Sequence, residues 1–225
     1  MARPRPLAAP RVTPVTLPRL EDGDVDGPID DRHDSERLSF AGRKDALLAG
    51  RTLAEVELAS LHLESLTTVG ARFNEVVAEG FDVVDWDSHD ASWRDVQLSG
   101  GRIGSLDLSG ADLSTVRLSD LRLGYLDLRG ATVLDMIVEN CRIGTLDLPS
   151  SRLGRVAFRD TRVAELDIRA AECTDVDIRG LDVTDRLEIA GRGDRPPLAG
   201  ITASAAQLGM LAPVLARQAG LALLD

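Results

Sequence analysis

Five aspartates and four arginines recur at intervals of 20 residues along the middle of the chain, and these residues are the best placed to act together. The ladder aspartates are Asp87, Asp107, Asp127, Asp147 and Asp167, and the ladder arginines are Arg102, Arg122, Arg142 and Arg162. A coil that repeats every 20 residues would stack each set with neighbouring charges about 5 Å apart. In water, like charges at that distance repel by about 1 kcal/mol before salt screens them.

The ladder aspartates predict one of two kinds of surface. Left unpaired, they would form a linear anionic track that competes with DNA phosphates for a positively charged groove on a partner protein. If they instead pair with the ladder arginines, which lie five residues earlier and on the preceding face of the coil, the two sets of charges would neutralise each other. The interleaved arginines fit the anionic track less well, because cations beside it weaken its likeness to DNA.

The other residues that could do chemistry are scattered. Of the three histidines, His33, His62 and His89, only His89 has carboxylates beside it, at Asp87 and Asp90. The two cysteines fall on inward positions of the repeat described next, where thiols are inert. Metal-ligand spacing, a phosphate loop and a Ser-His-Asp order are all missing. We therefore predict no catalytic centre, cofactor or metal; a glycan-active enzyme is a third alternative that would need loops around a carboxylate cleft.

The elements that position the ladders come from a repeat of five residues that runs from Arg51 to Ala190 without an insertion or deletion. The central residue of each pentapeptide is apolar at 25 of 28 sites, and the residue two positions earlier at 23 of 28. The residue between them is apolar at only four sites. Neither a helix nor a regular strand has this period, whereas a short strand followed by a tight turn does.

Four pentapeptides would make one four-sided coil, and a second period of 20 residues supports this. GRIGSLDLSG from residue 101 and LRLGYLDLRG from residue 121 are two of four similar copies. Seven coils would form a rod about 34 Å long with aliphatic columns inside. The least regular stretch contains Phe81, Trp86 and Trp93, which predict either a local repacking of the core or an exposed aromatic contact site.

The segment ADLST at residues 111–115 matches the consensus of the pentapeptide-repeat family, Ala-Asp/Asn-Leu followed by two variable residues. The phase and the four-unit coil are similar to that family throughout residues 51–190, although Leu or Val replaces Ala at many sites and Leu replaces Phe at the centre. The resemblance implies an all-β solenoid: a right-handed quadrilateral parallel β-helix with a C-terminal α-helical cap. Members that bind topoisomerases are rod-shaped, acidic and dimeric, so the resemblance also implies DNA gyrase as a partner.

The two ends of the chain differ from the repeat. Residues 1–45 are first rich in proline and then acidic, which predicts an arm that is either flexible or draped along the domain. Residues 46–190 are the predicted solenoid, and residues 191–225 a linker, a capping helix and a short tail.

The predicted C-terminal helix begins with a capping box formed by Ser204 and Gln207. The apolar positions that follow are Leu208, Leu211 and Leu215 at helical spacing, and Leu221 in the tail. The plainer interpretation is a cap over the last coil. The family resemblance implies that this end also forms a homodimer interface.

Composition narrows the partner class. The net charge of −11 disfavours direct binding to nucleic acid or to anionic lipid, and no apolar run is long enough to span a membrane. Two cysteines without a disulfide framework predict a cytoplasmic location. We therefore expect a non-catalytic protein-binding module, with a type II topoisomerase as one partner class. The alternative is a scaffold solenoid that assembles a complex unrelated to DNA.

Overall fold

The computed structural model describes residues 7–26, 32–194 and 196–218. They wind into a parallel β-solenoid, which confirms the predicted fold class, and each coil contributes strands to two sheets. The first sheet contains β1 (Glu21–Gly23), β2 (Arg32–Asp34), β3 (Glu36–Ser39), β5 (Thr52–Ala59), β7 (Arg72–Glu79), β9 (Ser92–Ser99), β11 (Asp112–Ser119), β13 (Thr132–Glu139), β15 (Arg152–Arg159), β17 (Glu172–Asp177) and β19 (Ile201–Thr202). The second contains β4 (Asp45–Leu47), β6 (His62–Thr67), β8 (Asp82–Asp87), β10 (Arg102–Asp107), β12 (Arg122–Asp127), β14 (Arg142–Asp147), β16 (Thr161–Asp167) and β18 (Leu181–Glu188).

The corners of the coil follow from the fifth residue of each pentapeptide. In the six coils between Arg51 and Ala170, three of the four corners hold a residue with positive φ. In the first of these coils the corner residues are Glu55 (φ 56°), Ser60 (φ 55°) and Gly70 (φ 62°). Gly, Asp and Asn fill most corners of the later coils, because these residues tolerate the left-handed region best.

The solenoid has eight coils, one more than the register predicts, because residues 32–50 form a further coil below the first. The sequence hides this coil because polar side chains occupy inward positions. His33 and Arg51 are 3% and 5% exposed, and the Nη1 of Arg51 lies 3.0 Å from His33 Nε2. His33 Nδ1 in turn lies 2.7 Å from a carboxylate oxygen of Glu36. Hydrogen bonds thus offset the burial of polar groups at this end of the core.

The last coil departs from the strict register. A one-residue shift between β16 and β18 places Leu187 opposite Leu166, and Glu188 opposite Asp167. In an unbroken five-residue register Glu188 would be an inward residue and Leu187 an outward one. The bulge reverses both, so an aliphatic side chain packs against the core and a carboxylate faces outward.

The aromatic residues repack the core locally. Trp86 and Trp93 are fully buried, with ring centroids 5.7 Å apart, and Phe73 lies 5.2 Å from Trp93. Thr68 and Ser88, two polar residues at central positions, pair with the indoles: Trp86 Nε1 donates to Thr68 Oγ1 at 2.9 Å, and Trp93 Nε1 donates to Ser88 Oγ at 3.2 Å. Of the two predicted alternatives, the structure therefore contains the repacked core.

The described part of the N-terminal arm lies along the first sheet. The Arg11 N–H donates to Asp135 Oδ1 at 2.8 Å, and the Gln97 side chain donates to the Thr13 carbonyl at 3.0 Å. Ile137, at an outward position beside Asp135, is only 3% exposed, which agrees with a covered face here. The acidic segment that follows enters the sheet as β1, so the sheet begins before residue 46.

The C-terminal end closes the solenoid with a 3₁₀ turn (Ala205–Gln207) and α1 (Leu208–Gln218). The Ser204 N–H donates to Gln207 Oε1 at 2.8 Å, as the capping box predicts. The Gln207 amide group donates to the carbonyls of Ile178 and Leu181, at 2.6 and 2.8 Å, and so joins the cap to the last coils. Within the described residues, no helix is long and apolar enough to cross a membrane.

Candidate functional site

The ladder aspartates stack in register along the second sheet. Each is the Cα partner of the next across β8, β10, β12, β14 and β16. Four of them turn back to accept a backbone N–H two residues later in the chain; for Asp107 and Asp127 these hydrogen bonds are 2.8 and 2.9 Å long. The exception is Asp147, because residue 149 is a proline and has no N–H. The Tyr125 hydroxyl donates to Asp147 instead, at 2.5 Å.

Arginine side chains two residues later in the chain neutralise two of the ladder aspartates. Arg129 Nε lies within 3.0 Å of both carboxylate oxygens of Asp127, whose side chain is 1% exposed. Arg169 pairs with Asp167 in the same way. Hydrogen bonding to Asp127 raises the pKa of Arg129, and that carboxylate's charge adds to the effect.

Asp167, at the C-terminal end of the ladder, shows how burial and pairing compete. Burial alone would raise the pKa of Asp167, but the side chain and backbone N–H of Arg169 outweigh it and lower that pKa. At the other end of the ladder, the hydrogen bond to Asp87 raises the pKa of His89. Proton affinity at this edge is therefore set by local pairs.

The ladder arginines lie elsewhere and do not pair with the ladder aspartates. They are exposed residues of β10, β12, β14 and β16, at the opposite end of these strands from the carboxylates. Arg162 donates to Asp182 in the next coil at 3.1 Å. Arg102, Arg122 and Arg142 have no ion pair or side-chain hydrogen bond with any described residue. The predicted pairing around the corner is thus replaced by pairing within each turn, at Asp127 and Asp167.

Sequence reasoning noted the carboxylates beside His89 but missed Arg129 and Arg169, the residues that neutralise Asp127 and Asp167. The signal is present as Asp-x-Arg or Asp-x-His, at residues 87–89, 127–129 and 167–169. It repeats at 177–179, where Arg179 pairs with Asp177. Whether residues two apart can meet depends on the turn between them, and the five-residue pattern does not specify its geometry.

Negative charge is concentrated away from the ladder's centre. Residues 71–90 hold six carboxylates and a single arginine, whereas residues 91–130 hold five carboxylates and five arginines. Glu79, Asp82 and Asp85 of the first segment are exposed and have no ion pair within the described part of the chain. The most acidic surface of the repeat is therefore one coil near the N-terminal end.

One group of side chains could hold a metal ion. Ligand atoms of Asp87, His89 and Asp107 lie within 4.8 Å of one another at a corner of the second sheet. A carboxylate–imidazole–carboxylate set suits a divalent cation of the first transition row. The hydrogen bond of 2.6 Å between His89 Nδ1 and Asp87 Oδ1 already uses two of these atoms.

The four leucines that the sequence predicts for the C-terminal cap or dimer interface differ in their exposure to solvent. Leu211 is 5% exposed and belongs to the core, and Leu215 packs against it. Leu208 is 58% exposed, and Leu221 lies outside the described residues. Two of the four thus cap the solenoid, while Leu208 offers an apolar surface.

No family model matches the chain, and no curated protein matches its sequence. Among solved structures, a trypsin-treated variant of QnrB1, a plasmid-mediated fluoroquinolone resistance protein, is 15% identical, with 87% of this chain and 92% of QnrB1 covered and a TM-score of 0.32. HetL, a pentapeptide repeat protein involved in heterocyst differentiation regulation from the cyanobacterium Nostoc sp. strain PCC 7120, is 17% identical, with coverage of 72% and 90% and a TM-score of 0.33. Full-length QnrB1 is 13% identical, with coverage of 82% and 99% and a TM-score of 0.30. At these identities the likeness concerns the fold alone.

Proposed function

We propose that this pentapeptide-repeat solenoid is a non-catalytic protein-binding module, and that its acidic surface is a ligand for a type II topoisomerase such as DNA gyrase. The observation that carries the proposal is a rod with an exposed acidic coil: Glu79, Asp82 and Asp85 stand free on residues 71–90. A rigid surface of this charge is attracted to the cationic groove in which a DNA-handling enzyme holds its substrate. The family resemblance supplies the enzyme class.

The acidic coil supports this role better than the ladder aspartates do. Asp127 is 1% exposed and its charge is met by Arg129, and Asp167 is met by Arg169. A carboxylate already bonded within the chain has less charge to offer a partner. The binding surface is therefore proposed on the acidic coil, with the exposed members of the ladder contributing at its edge.

A supercoiling assay with purified gyrase, with and without a fluoroquinolone, tests this role. The wild-type protein is expected to inhibit supercoiling or to protect gyrase from the drug at micromolar concentration. The variant E79Q/D82N/D85N removes three charges from the acidic coil and is expected to lose the effect. The control D45N/D112N/E165Q removes three exposed carboxylates from scattered positions and should act as the wild type does. If the wild type has no effect, the topoisomerase role is wrong.

A scaffold that assembles a complex unrelated to DNA is the second candidate. Two observations favour it: residues 91–130 contain equal numbers of carboxylates and arginines, and Asp127 is paired with Arg129. A wild-type protein inactive in the supercoiling assay, together with a partner recovered by crosslinking to the rod in living cells, would support this candidate. Both candidates require a binding surface and no chemistry.

A homodimer formed through the C-terminal end is part of the proposal. Leu208 is a large apolar residue exposed on the first turn of α1. Burying such a side chain against a second copy would contribute about 1.5–3 kcal/mol. We expect Leu208→Glu to shift the mass measured by light scattering from dimer to monomer, and Ala212→Glu, exposed on the same helix, to serve as the control for added charge. A monomeric wild type would remove the dimer from the proposal.

A further inference from the structure

We propose that the ladder arginines and the glycines beside them form a site for an extended acidic segment of a partner protein. The site lies on the second sheet, away from the turns that hold the ladder aspartates. It has the opposite charge to the acidic coil and does not depend on the topoisomerase role. It goes beyond that role by adding a second kind of recognition to the rod.

The first support is the unpartnered charge. Arg102, Arg122 and Arg142 are exposed, stack in register, and make no ion pair with the residues that the structure describes. At the strand spacing of about 4.8 Å, each adjacent pair repels by about 1 kcal/mol in water before screening. Anionic groups placed along the ladder would relieve that repulsion.

The second support is the groove beside the arginines. Gly104, Gly124 and Gly144 stack two residues after the ladder arginines, and the groove over them has a volume of about 440 Å³. A Cβ on Gly124 would lie 2.5 Å from the carbonyl oxygen of Gly104, so the local backbone suits glycine. Val84 and Ala164 occupy the same column and carry side chains. A side chain is thus accommodated in the coils of Val84 and Ala164, whereas in the three coils between them the close carbonyl oxygens favour glycine, which leaves a strip of backbone bare.

The dimensions fit an extended peptide that runs across the strands. The three unpaired arginines span two strand spacings, about 10 Å, and acidic residues at positions i, i+2 and i+4 of an extended segment span about 13 Å, so long arginine side chains can reach all three. Alternate side chains of such a segment point the same way, so its carboxylates can face the arginines while its backbone lies over the glycines. Each guanidinium can form two parallel hydrogen bonds to one carboxylate.

A carboxylate lies at each end of the ladder of arginines, and these two carboxylates favour a short ligand. Asp82 is the register partner of Arg102, and Asp182 is the partner of Arg162. A nucleic acid strand longer than the ladder would bring phosphates against these carboxylates, in addition to meeting the protein's net charge of −11. A peptide with a few acidic residues avoids both.

Fluorescence anisotropy tests the site with a labelled peptide of sequence Asp-Ser-Asp-Ser-Asp. The wild-type protein is expected to bind it saturably, and more weakly as salt is raised. The variant R122Q/R142Q should bind about tenfold more weakly or worse, because it loses two charge-assisted contacts. The matched control R72Q/R94Q removes two exposed arginines from the first sheet and should change the affinity by less than about twofold.

Each other outcome overturns the proposal. Absence of peptide binding to the wild type, or equal losses in the two double variants, would show that the arginines form no site. A labelled oligothymidine that binds more tightly than the peptide, and needs the same arginines, would assign the groove to nucleic acid instead. Melting temperatures of all proteins are compared first, and R102Q/R142Q replaces R122Q/R142Q if the latter melts below the wild type.

Discussion

The two charged ladders share a period, a sheet and a spacing, yet they differ in what their side chains contact. The ladder aspartates fold back onto the chain, where four of them hold a backbone N–H and two lie against an arginine. The ladder arginines extend from exposed strand positions, and only Arg162 has an ion pair with a described residue. The first ladder therefore stabilises turns, while the second remains available to a partner.

This difference teaches that repetition of a charge does not by itself indicate a binding surface. An aspartate at the start of a turn has backbone N–H groups within reach of its short side chain, so its carboxylate accepts a hydrogen bond within that turn. An arginine at the start of one of these strands has no such donor or acceptor in reach, and Arg122 and Arg142 have a neighbour of the same charge on either side and bare backbone beside them. The local backbone, and not the spacing, decides which ladder is free.

The largest effect should come from removing a ladder aspartate that is buried. We expect Asp127→Ala to lower the free energy of unfolding by about 2–3 kcal/mol, because it leaves the Arg129 N–H and side chain without their acceptor. Arg122→Ala should change it by less than about 0.5 kcal/mol. Urea denaturation measures both. Equal losses in the two variants would remove the distinction between the ladders.

A smaller effect on the free energy of unfolding is expected at Asp147, the ladder aspartate that has no backbone N–H to accept. Tyr125→Phe should cost about 1 kcal/mol, because Asp147 accepts from the Tyr125 hydroxyl where Pro149 offers no N–H. A double-mutant cycle with Asp147→Asn isolates this contact from other changes at either site. A coupling energy of zero would show that Asp147 is as free as the ladder arginines.

The next effect in size is the pH dependence of stability, which should change when the aspartate ladder loses its pairing and not when a ladder arginine is removed. The pKa of Asp167 is lowered by Arg169 from a model-peptide value of 3.8, so its pairing stabilises the fold above that pH and the benefit is lost as pH falls through the lower folded pKa. In Arg169→Gln the folded pKa rises towards the unfolded value, so the variant has less of this benefit to lose and its stability should fall less than that of the wild type as the pH is lowered. Arg142→Gln, which removes a ladder arginine, is the control. Urea midpoints between pH 6 and pH 3 make the comparison, and identical pH profiles in all three proteins would contradict it.

The smallest effect is expected at His89. Its pKa is raised above the model-peptide value of 6.5 by hydrogen bonding to Asp87, so the pair stabilises the fold fully below that pH and the benefit is lost as pH rises through the folded pKa. The effect is small because the two side chains are 40% and 39% exposed to solvent. We expect His89→Gln to flatten the change in melting temperature between pH 6 and pH 8. An unchanged slope would mean that the pair has no energetic role.

The sequence predicts the solenoid and both ladders because inward residues of the repeat must be apolar in almost every coil. It fails where that condition is relaxed. His33 and Arg51 bury polar groups that pair with each other, so the apolar pattern of the repeat is interrupted at the first coil. At Leu187 a bulge shifts the inward position by one residue, which a fixed register cannot represent.

The candidate site was harder to predict than the fold, because charge pairing depends on side-chain directions at the corners. Arg129 and Arg169 are two residues from their partners, yet the pattern suggested the ladder arginines, which are five residues away. The role of the polar core residues Thr68 and Ser88 emerges only from the positions of the indole N–H groups.

Side-chain relaxation of the arginines tests the central claim, that one ladder is held and the other is free. In ¹⁵N NMR, the Nε–Hε bonds of Arg129 and Arg169 are expected to have order parameters close to the rigid value of about 0.85. Those of Arg102, Arg122 and Arg142 should lie below about 0.6, since no described residue restrains them. Order parameters for these three that equal the value of Arg129 would show that their guanidinium groups are also held, and would contradict the account.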